Sequence, residues 1–419
     1  MTFAEVGVPA DLAASLEQRG ILHPFAIQAA TIPDAIAGRD VSGKAPTGSG
    51  KTLAFGLPLV ARVGKATPRR PRALILVPTR ELAAQVAREL TPLAATRGRS
   101  VAAFYGGAGL GPQRTRLRAG CDIVVACPGR LEDLLGTGDA SLADVDLVVI
   151  DEADRMADMG FLPAVTRLLD QVRSDRQTLL FSATLDGDVD VLVRRYQRNP
   201  VRHEVEVPAE QAGRVDHRFW RVDRADRVAV TARLVAREWP AVVFCRTRHG
   251  ADRVARQLGA AGVAAVAIHG DRSQGQRDRA LAAFRSGAAQ ALVATDVAAR
   301  GIHVDDVACI VHFDPAGDEK DYVHRSGRTG RAGAAGLVVT LVHDDVARAV
   351  SALQRSLGHP AGATTPNLPD ATGPNRRLPS ADGERPRSPA ARSARNDATR
   401  AVPGAKRGRR NERGRRRRA

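Results

Sequence analysis

The sequence predicts two tandem α/β domains, each built on a parallel sheet, followed by a basic tail. Three observations carry the prediction. Short apolar runs alternate with amphipathic stretches up to about His359, the pattern of βαβ units. A polar stretch without apolar period lies near 208–213, where a boundary between two domains belongs. From Pro360 onward the composition turns to Pro, Gly, Ser, Asn and Arg with no aromatic residue. At 419 residues the chain is too long for one ordinary domain, and at 43% hydrophobic residues too apolar to be disordered throughout.

In order along the chain, 73–77, 123–126, 147–150 and 178–181 read as buried strands of the first half, with a strand-like approach ahead of Ala45. In the second half 241–245, 264–268, 291–294, 309–313 and 337–341 take that part. Helix-period segments such as 81–90 and 251–258 lie between them. The domains are therefore set at 1–207 and 215–359, with a linker over 208–214 and a tail over 360–419. The tail holds 16 Lys+Arg against 5 Asp+Glu, so it carries +11 of the net charge of +17. With almost nothing apolar to bury against the entropy of ordering, it is expected to be disordered. Its run of arginines pairs well with phosphate, which favours nucleic acid over a merely solubilising role.

Other classes are excluded. No apolar run approaches the roughly 18 residues that a spanning helix needs, and the first ten residues do not resemble an export signal. Cys121, Cys127, Cys245 and Cys309 are scattered, with no CxxC pair, and read as reduced thiols of a cytoplasmic protein rather than zinc ligands.

The strongest local signal is Ala45-Pro46-Thr47-Gly48-Ser49-Gly50-Lys51-Thr52. Glycines let backbone N–H groups wrap a phosphate, Lys51 reaches the outer phosphates and the Thr52 hydroxyl is a ligand for Mg²⁺. A phosphate loop alone leaves kinase, GTPase and motor open. The apolar run Leu147-Val148-Val149-Ile150 ending in Asp151-Glu152-Ala153-Asp154 narrows the choice, because a carboxylate at a strand end serves a magnesium nucleotide and a second one beside it activates water.

With these motifs in hand, the sequence resembles the DEAD-box ATP-dependent RNA helicases from Phe3 to about Leu341. The other ordered motifs are Gly20 with Pro24-Phe25-Ala26-Ile27-Gln28, Pro78-Thr79-Arg80-Glu81-Leu82-Ala83, Gly106-Gly107, Pro128-Gly129-Arg130 and Ser182-Ala183-Thr184. The second half adds Val243-Phe244-Cys245, His269-Gly270-Asp271 with Gln274 and Arg277, Thr295-Asp296 through Arg300-Gly301, and His324-Arg325-Ser326-Gly327-Arg328-Thr329-Gly330-Arg331.

The resemblance implies two RecA-like domains sharing one ATP site. Gln28 would read the adenine edge and Phe3 would stack on its face, while Ala45, Thr47, Gly48, Ser49, Gly50, Lys51 and Thr52 hold phosphates. Thr52 and Asp151 would serve the metal, Glu152 the attacking water, and Arg328 and Arg331 the transferring phosphoryl group from the far side of the cleft. Asp154, Ser182, Thr184, Asp296 and His324 would couple the two halves. Thr79, Arg80, Gly107, Gly129 and Arg130 in the first domain, and Gly270, Arg277, Thr295 and Arg300 in the second, would touch the RNA backbone without reading sequence. Three residues depart from the family pattern: Phe25 and Cys127 each replace Thr, and His303 replaces an Asp expected at the ATP ribose. The implied function is an ATP-dependent RNA helicase that separates short duplexes locally or remodels RNA–protein complexes. A non-hydrolysing, ATP-gated RNA clamp or annealing chaperone is the alternative, opposed by Glu152, Arg328 and Arg331.

Overall fold

The computed structural model describes residues 1–46, 48–205, 214–299, 307–330 and 334–368. The first domain holds β1 (Val41–Lys44), β2 (Ala73–Leu76), β3 (Val101–Phe104), β4 (Ile123–Ala126), β5 (Leu147–Asp151), β6 (Gln177–Ser182) and β7 (Val201–Glu204). They form one sheet in the order β3-β4-β2-β5-β6-β1-β7 with every pairing parallel. The second domain holds β8 (Val215–Arg221), β9 (Ala241–Phe244), β10 (Ala265–Ile268), β11 (Ala291–Ala294), β12 (Cys309–His312) and β13 (Gly336–Val342). These are again parallel, in the order β10-β11-β9-β12-β13-β8.

Because helices cover both faces, the central strands are buried on both and read as continuous apolar runs. The period of two then sorts their side chains into separate cores. Ala73, Ile75, Val125, Val149 and Phe181 pack on one face of the first sheet, and Leu74, Leu76, Val124, Val148 and Leu180 on the other. In the second sheet Val243, Val293, Val311 and Leu341 oppose Val242, Phe244, Leu292 and Ile310 in the same way. Among the described residues no helix is long and apolar enough to cross a membrane.

The expected strands appear within a residue or two of their predicted bounds. The tail boundary at Pro360 needs correction. Thr364 bridges to Trp220, with Arg221 N donating to Thr364 O (2.8 Å) and Thr364 N to Phe219 O (2.9 Å). The buried Gln354 amide bonds to Pro360 O, Gly362 O and Gly362 N. Residues 360–368 thus belong to the second domain, because the open edge of β8 and a buried amide both need partners. Most of the predicted linker and all of the chain from 369 lie outside the described residues.

One buried histidine gives the second domain a pH dependence. His312 is fully buried between the rings of Tyr322 and Phe244, and neither ring nitrogen has a hydrogen-bond partner among the described residues. Burial, then the charge of Arg325, holds its pKa well below the ordinary value. The folded domain keeps His312 neutral while the unfolded chain protonates it below pH about 6.5, so stability is full above that pH and falls as pH falls, by up to about 1.4 kcal/mol per unit. Denaturant titrations at pH 7.5 and 5.5 should show a smaller acid loss for His312→Leu than for the parent; equal losses would remove His312 as the cause.

Candidate nucleotide and RNA site

In a parallel sheet the carboxyl ends of the strands present the binding loops. Here β1, β6 and β5 are neighbours, so the phosphate loop after β1, Ser182 ending β6 and the carboxylates at the end of β5 meet at one edge. The loop runs into the helix Lys51–Arg62 through Gly50, which is left-handed (φ 85°). A Cβ at Gly50 would lie 2.4 Å from Gln28 Nε2 and 2.7 Å from the Phe25 ring, so only glycine fits. Lys51 Nζ donates to Ala45 O (2.8 Å) and Pro46 O (3.4 Å), and Ser49 Oγ donates to Pro46 O (2.8 Å).

Gln28 joins this loop to the preceding segment. Its Nε2 donates to Gly50 O (2.9 Å) and its Oε1 accepts from Phe25 N (2.9 Å), opening the helix Ala26–Ile36. A primary amide keeps one further donor and one further lone pair, which suits the edge of an adenine. Phe3, by contrast, is 2% exposed, packs in the core and is not among the described residues that border the cavity. The ring at the cavity is Phe25, 61% exposed. An aromatic at the third residue has the whole N-terminal core to fill, whereas one that caps a helix beside Gly50 projects into the cleft.

Opposite the loop, Asp151 accepts from Glu152 N at 3.0 Å. Glu152 is left-handed (φ 54°) without being glycine, a conformation found at functional turns. Its carboxylate is paired with Arg155 at 2.9 Å, both side chains 7% exposed, so its orientation is fixed. Asp154 N donates to Ser182 Oγ (3.1 Å), tying the acidic turn to β6, while Thr184 beyond it is exposed. A cavity of ≈ 320 Å³ is bounded by Gln28, Gly48, Gly50, Lys51, Thr52, Asp151 and Glu152.

The loops after β2, β4 and β3 lie along the same edge. Thr79 caps the helix Arg80–Ala95, accepting from Leu82 N (3.3 Å). The Arg80 guanidinium lies over Gly107, where a Cβ would be 2.2 Å from Nη1. Arg130 Nη1 donates to Ala108 O (3.2 Å), and Gly129 is exposed in the first turn of the helix Pro128–Gly136. The thiol of Cys127 beside them is pushed up to about 12, chiefly by burial, and is inert.

In the second domain Gly270 follows β10 and the buried Thr295 follows β11. Asp296 receives Arg325 in a fork, from Nε at 2.6 Å and Nη2 at 2.7 Å, and Arg325 Nη1 donates to Asp314 O (2.8 Å). This fixes the helix Glu319–Ser326, which carries His324 and leads to the buried Arg328. Thr47, Arg300, His303 and Arg331 lie outside the described residues.

Arg277 departs from expectation. It is 8% exposed and donates from Nε to Glu81 Oε1 at 2.7 Å across the two domains, joined by Gln274 on the same oxygen and by Lys320 with Asp158. A buried guanidinium needs a carboxylate, and Glu81 supplies it, so here Arg277 ties the two domains together. In the sequence Glu81 sits inside a motif with no role of its own, and Arg155 belongs to no motif. Arg155 stands three residues after Glu152, a helical pairing distance; the partner of Glu81 is 196 positions away and left no local signal. Glu81→Ala is expected to leave each domain folded, to strand Arg277, and to raise the RNA concentration that half-saturates ATP hydrolysis by roughly tenfold or more; an unchanged value would show that the pair does not support closure.

Residues 25–192 match the family model described as DEAD/DEAH box helicase, and 220–333 match Helicase conserved C-terminal domain. Over 375 residues the chain is 40% identical to DEAD-box ATP-dependent RNA helicase 30 of Arabidopsis thaliana, covering 87% of this chain and 63% of that protein. It is 38% identical to the DEAD-box ATP-dependent RNA helicase CshA of Bacillus subtilis, covering 82% of this chain and 69% of that one. Among solved structures, S. cerevisiae Dbp5 bound to RNA and ADP BeF3 superposes with a TM-score of 0.75 at 26% identity, over 87% of this chain and 95% of that one. The chain thus spans slightly under two thirds of the Arabidopsis protein. Both domains have the RecA-like helicase architecture, and the chain belongs to the DEAD-box family of ATP-dependent RNA helicases.

Proposed function

We propose that the chain hydrolyses ATP to separate short RNA duplexes or remodel RNA–protein complexes. The reading rests on one observation above the others: Lys51, Thr52, Asp151 and Glu152 line a single cavity on the same sheet edge as Arg80, Gly107 and Arg130. Gln28 takes the adenine edge and Phe25 flanks the ring. Lys51 exchanges the loop carbonyls for phosphate oxygens, Glu152 accepts a proton from the attacking water, and Arg328 and Arg331 neutralise charge on the phosphoryl group as the domains close. Among the described residues no cluster of three protein ligands could hold a metal unaided, but Thr52 and Asp151 suit Mg²⁺, which commonly takes one or two protein oxygens beside substrate phosphates. When bound, Mg²⁺ offsets phosphate charge. Thr79, Gly129, Gly270, Thr295 and Arg300 complete a backbone-contacting RNA track on which closure bends one strand and sheds the other. A site of action in the cytoplasm accords with four free cysteines.

The test is ATP hydrolysis with and without single-stranded RNA. Hydrolysis raised severalfold or more by RNA supports the reading; hydrolysis absent under both conditions favours the ATP-gated clamp.

The tail is proposed to add RNA contacts, supported by its charge of +11. Removing residues 369–419 should lower the slope of log affinity against log salt by about 0.7 per lost phosphate contact on single strands. An unchanged slope would show that the segment is not an RNA-binding arm.

A further inference from the structure

The two sheets correspond strand for strand when β3-β4-β2-β5-β6-β1 is laid on β10-β11-β9-β12-β13-β8. The segment after β8 then stands where the phosphate loop stands after β1. A cavity of ≈ 780 Å³ opens there, at the carboxyl ends of β8, β9, β12 and β13. We propose that this cavity is a second phosphate-chain site, one that binds a small polyphosphate anion without hydrolysing it.

Four arginines line it: Arg224, Arg227, Arg246 and Arg253. Arg227 is 8% exposed, anchored by Nη1 to Phe313 O and Asp314 Oδ1 (both 3.1 Å), with the Phe313 ring 4.4 Å from its guanidinium carbon and a buried Nε that has no partner among the described residues. Arg246 and Arg253 are exposed, and neither guanidinium makes an ion pair among the described residues. The acidic side chains facing the cavity are Asp314, held by Arg227 and by Arg246 N, and Asp345, paired with Arg224 at 3.2 Å on the surface. Among the described residues, four cations against two anions leave the cavity positive. The N-terminus of the helix Arg248–Ala260, capped by Thr247, adds to that sign. His343, which also lines the cavity, has its pKa lowered by burial and then by Arg227 and Arg224.

The chemistry differs from that of the first domain. Residues 222–226 contain no glycine, so the backbone cannot wrap a phosphate; guanidinium groups take its place, in geometry suited to phosphate oxygens. Asp314, at the end of β12, is already engaged and does not stand ready to activate water. Binding without turnover follows.

Both tryptophans of the chain, Trp220 and Trp239, lie in the second domain, so fluorescence-monitored melting of the full chain reports that domain. On a Lys51→Ala background, which disables the first phosphate site, inorganic pyrophosphate should raise the melting midpoint saturably. Adding Arg246→Gln and Arg253→Gln should raise the half-saturating concentration roughly tenfold or more, since charge-assisted hydrogen bonds are lost. Arg348→Gln with Arg355→Gln removes the same charge from exposed positions that do not line the cavity and should leave it unchanged. No saturable stabilisation, or equal shifts in the two double variants, would overturn the site. ADP matching pyrophosphate would assign recognition to the phosphate chain alone; ADP acting at lower concentration would assign it to a nucleotide.

Discussion

Glu152→Gln should bind ATP as the parent does and lose turnover by about 10²–10⁴-fold, the usual contribution of a positioned general base. The amide keeps the size of the side chain and an oxygen to accept from Arg155, so the buried contact at 2.9 Å survives while the proton acceptor disappears. Arg155 does lose its counter-charge, and a drop in melting temperature measured beside the kinetics will register that cost. If hydrolysis stalls after closure, the variant should also hold RNA longer in the presence of ATP. Hydrolysis at the parent rate, with binding and folding intact, would remove Glu152 from the reaction.

Arg328→Ala should lower kcat by about 10³–10⁵-fold with little change in KM, because an arginine that meets the phosphoryl group only on closure stabilises the transition state and not the bound substrate. The structure prepares the position. Arg328 is 5% exposed, and its N–H closes a turn onto Arg325 O (3.3 Å) just after the helix that Asp296 fixes through Arg325. Lysine should not restore the rate, since a point ammonium lacks the planar fork. A variant that loses affinity for ATP while keeping kcat would instead make Arg328 a ground-state binding residue.

What the sequence discloses about this molecule follows burial. Strands such as β2, β4, β9 and β12 are covered on both faces and announce themselves as apolar runs. β7 and β8 are sheet edges whose residues alternate between partly buried and exposed over most of their length, and they carry no such run. β1, Val-Ser-Gly-Lys, has no apolar run either and is legible only as the approach to the phosphate loop it feeds. The site divides in the same way. Lys51, Asp151 and Glu152 sit in contiguous motifs whose spacing is itself the chemistry. The Glu81–Arg277 tie depends on two domains meeting, and whether Phe25 or Phe3 borders the cavity depends on which ring the core consumes. The Pro360 boundary failed because nine residues of tail-like composition satisfy an open strand edge and a buried glutamine.

The most direct test of the central claim is displacement of the shorter strand from a short RNA duplex, measured with ATP, with a non-hydrolysable ATP analogue, and with no nucleotide. Strand separation that requires ATP, recycles over many duplexes, and is reduced to at most a single round by Glu152→Gln is the predicted result. Equal annealing or separation under all three conditions would contradict it.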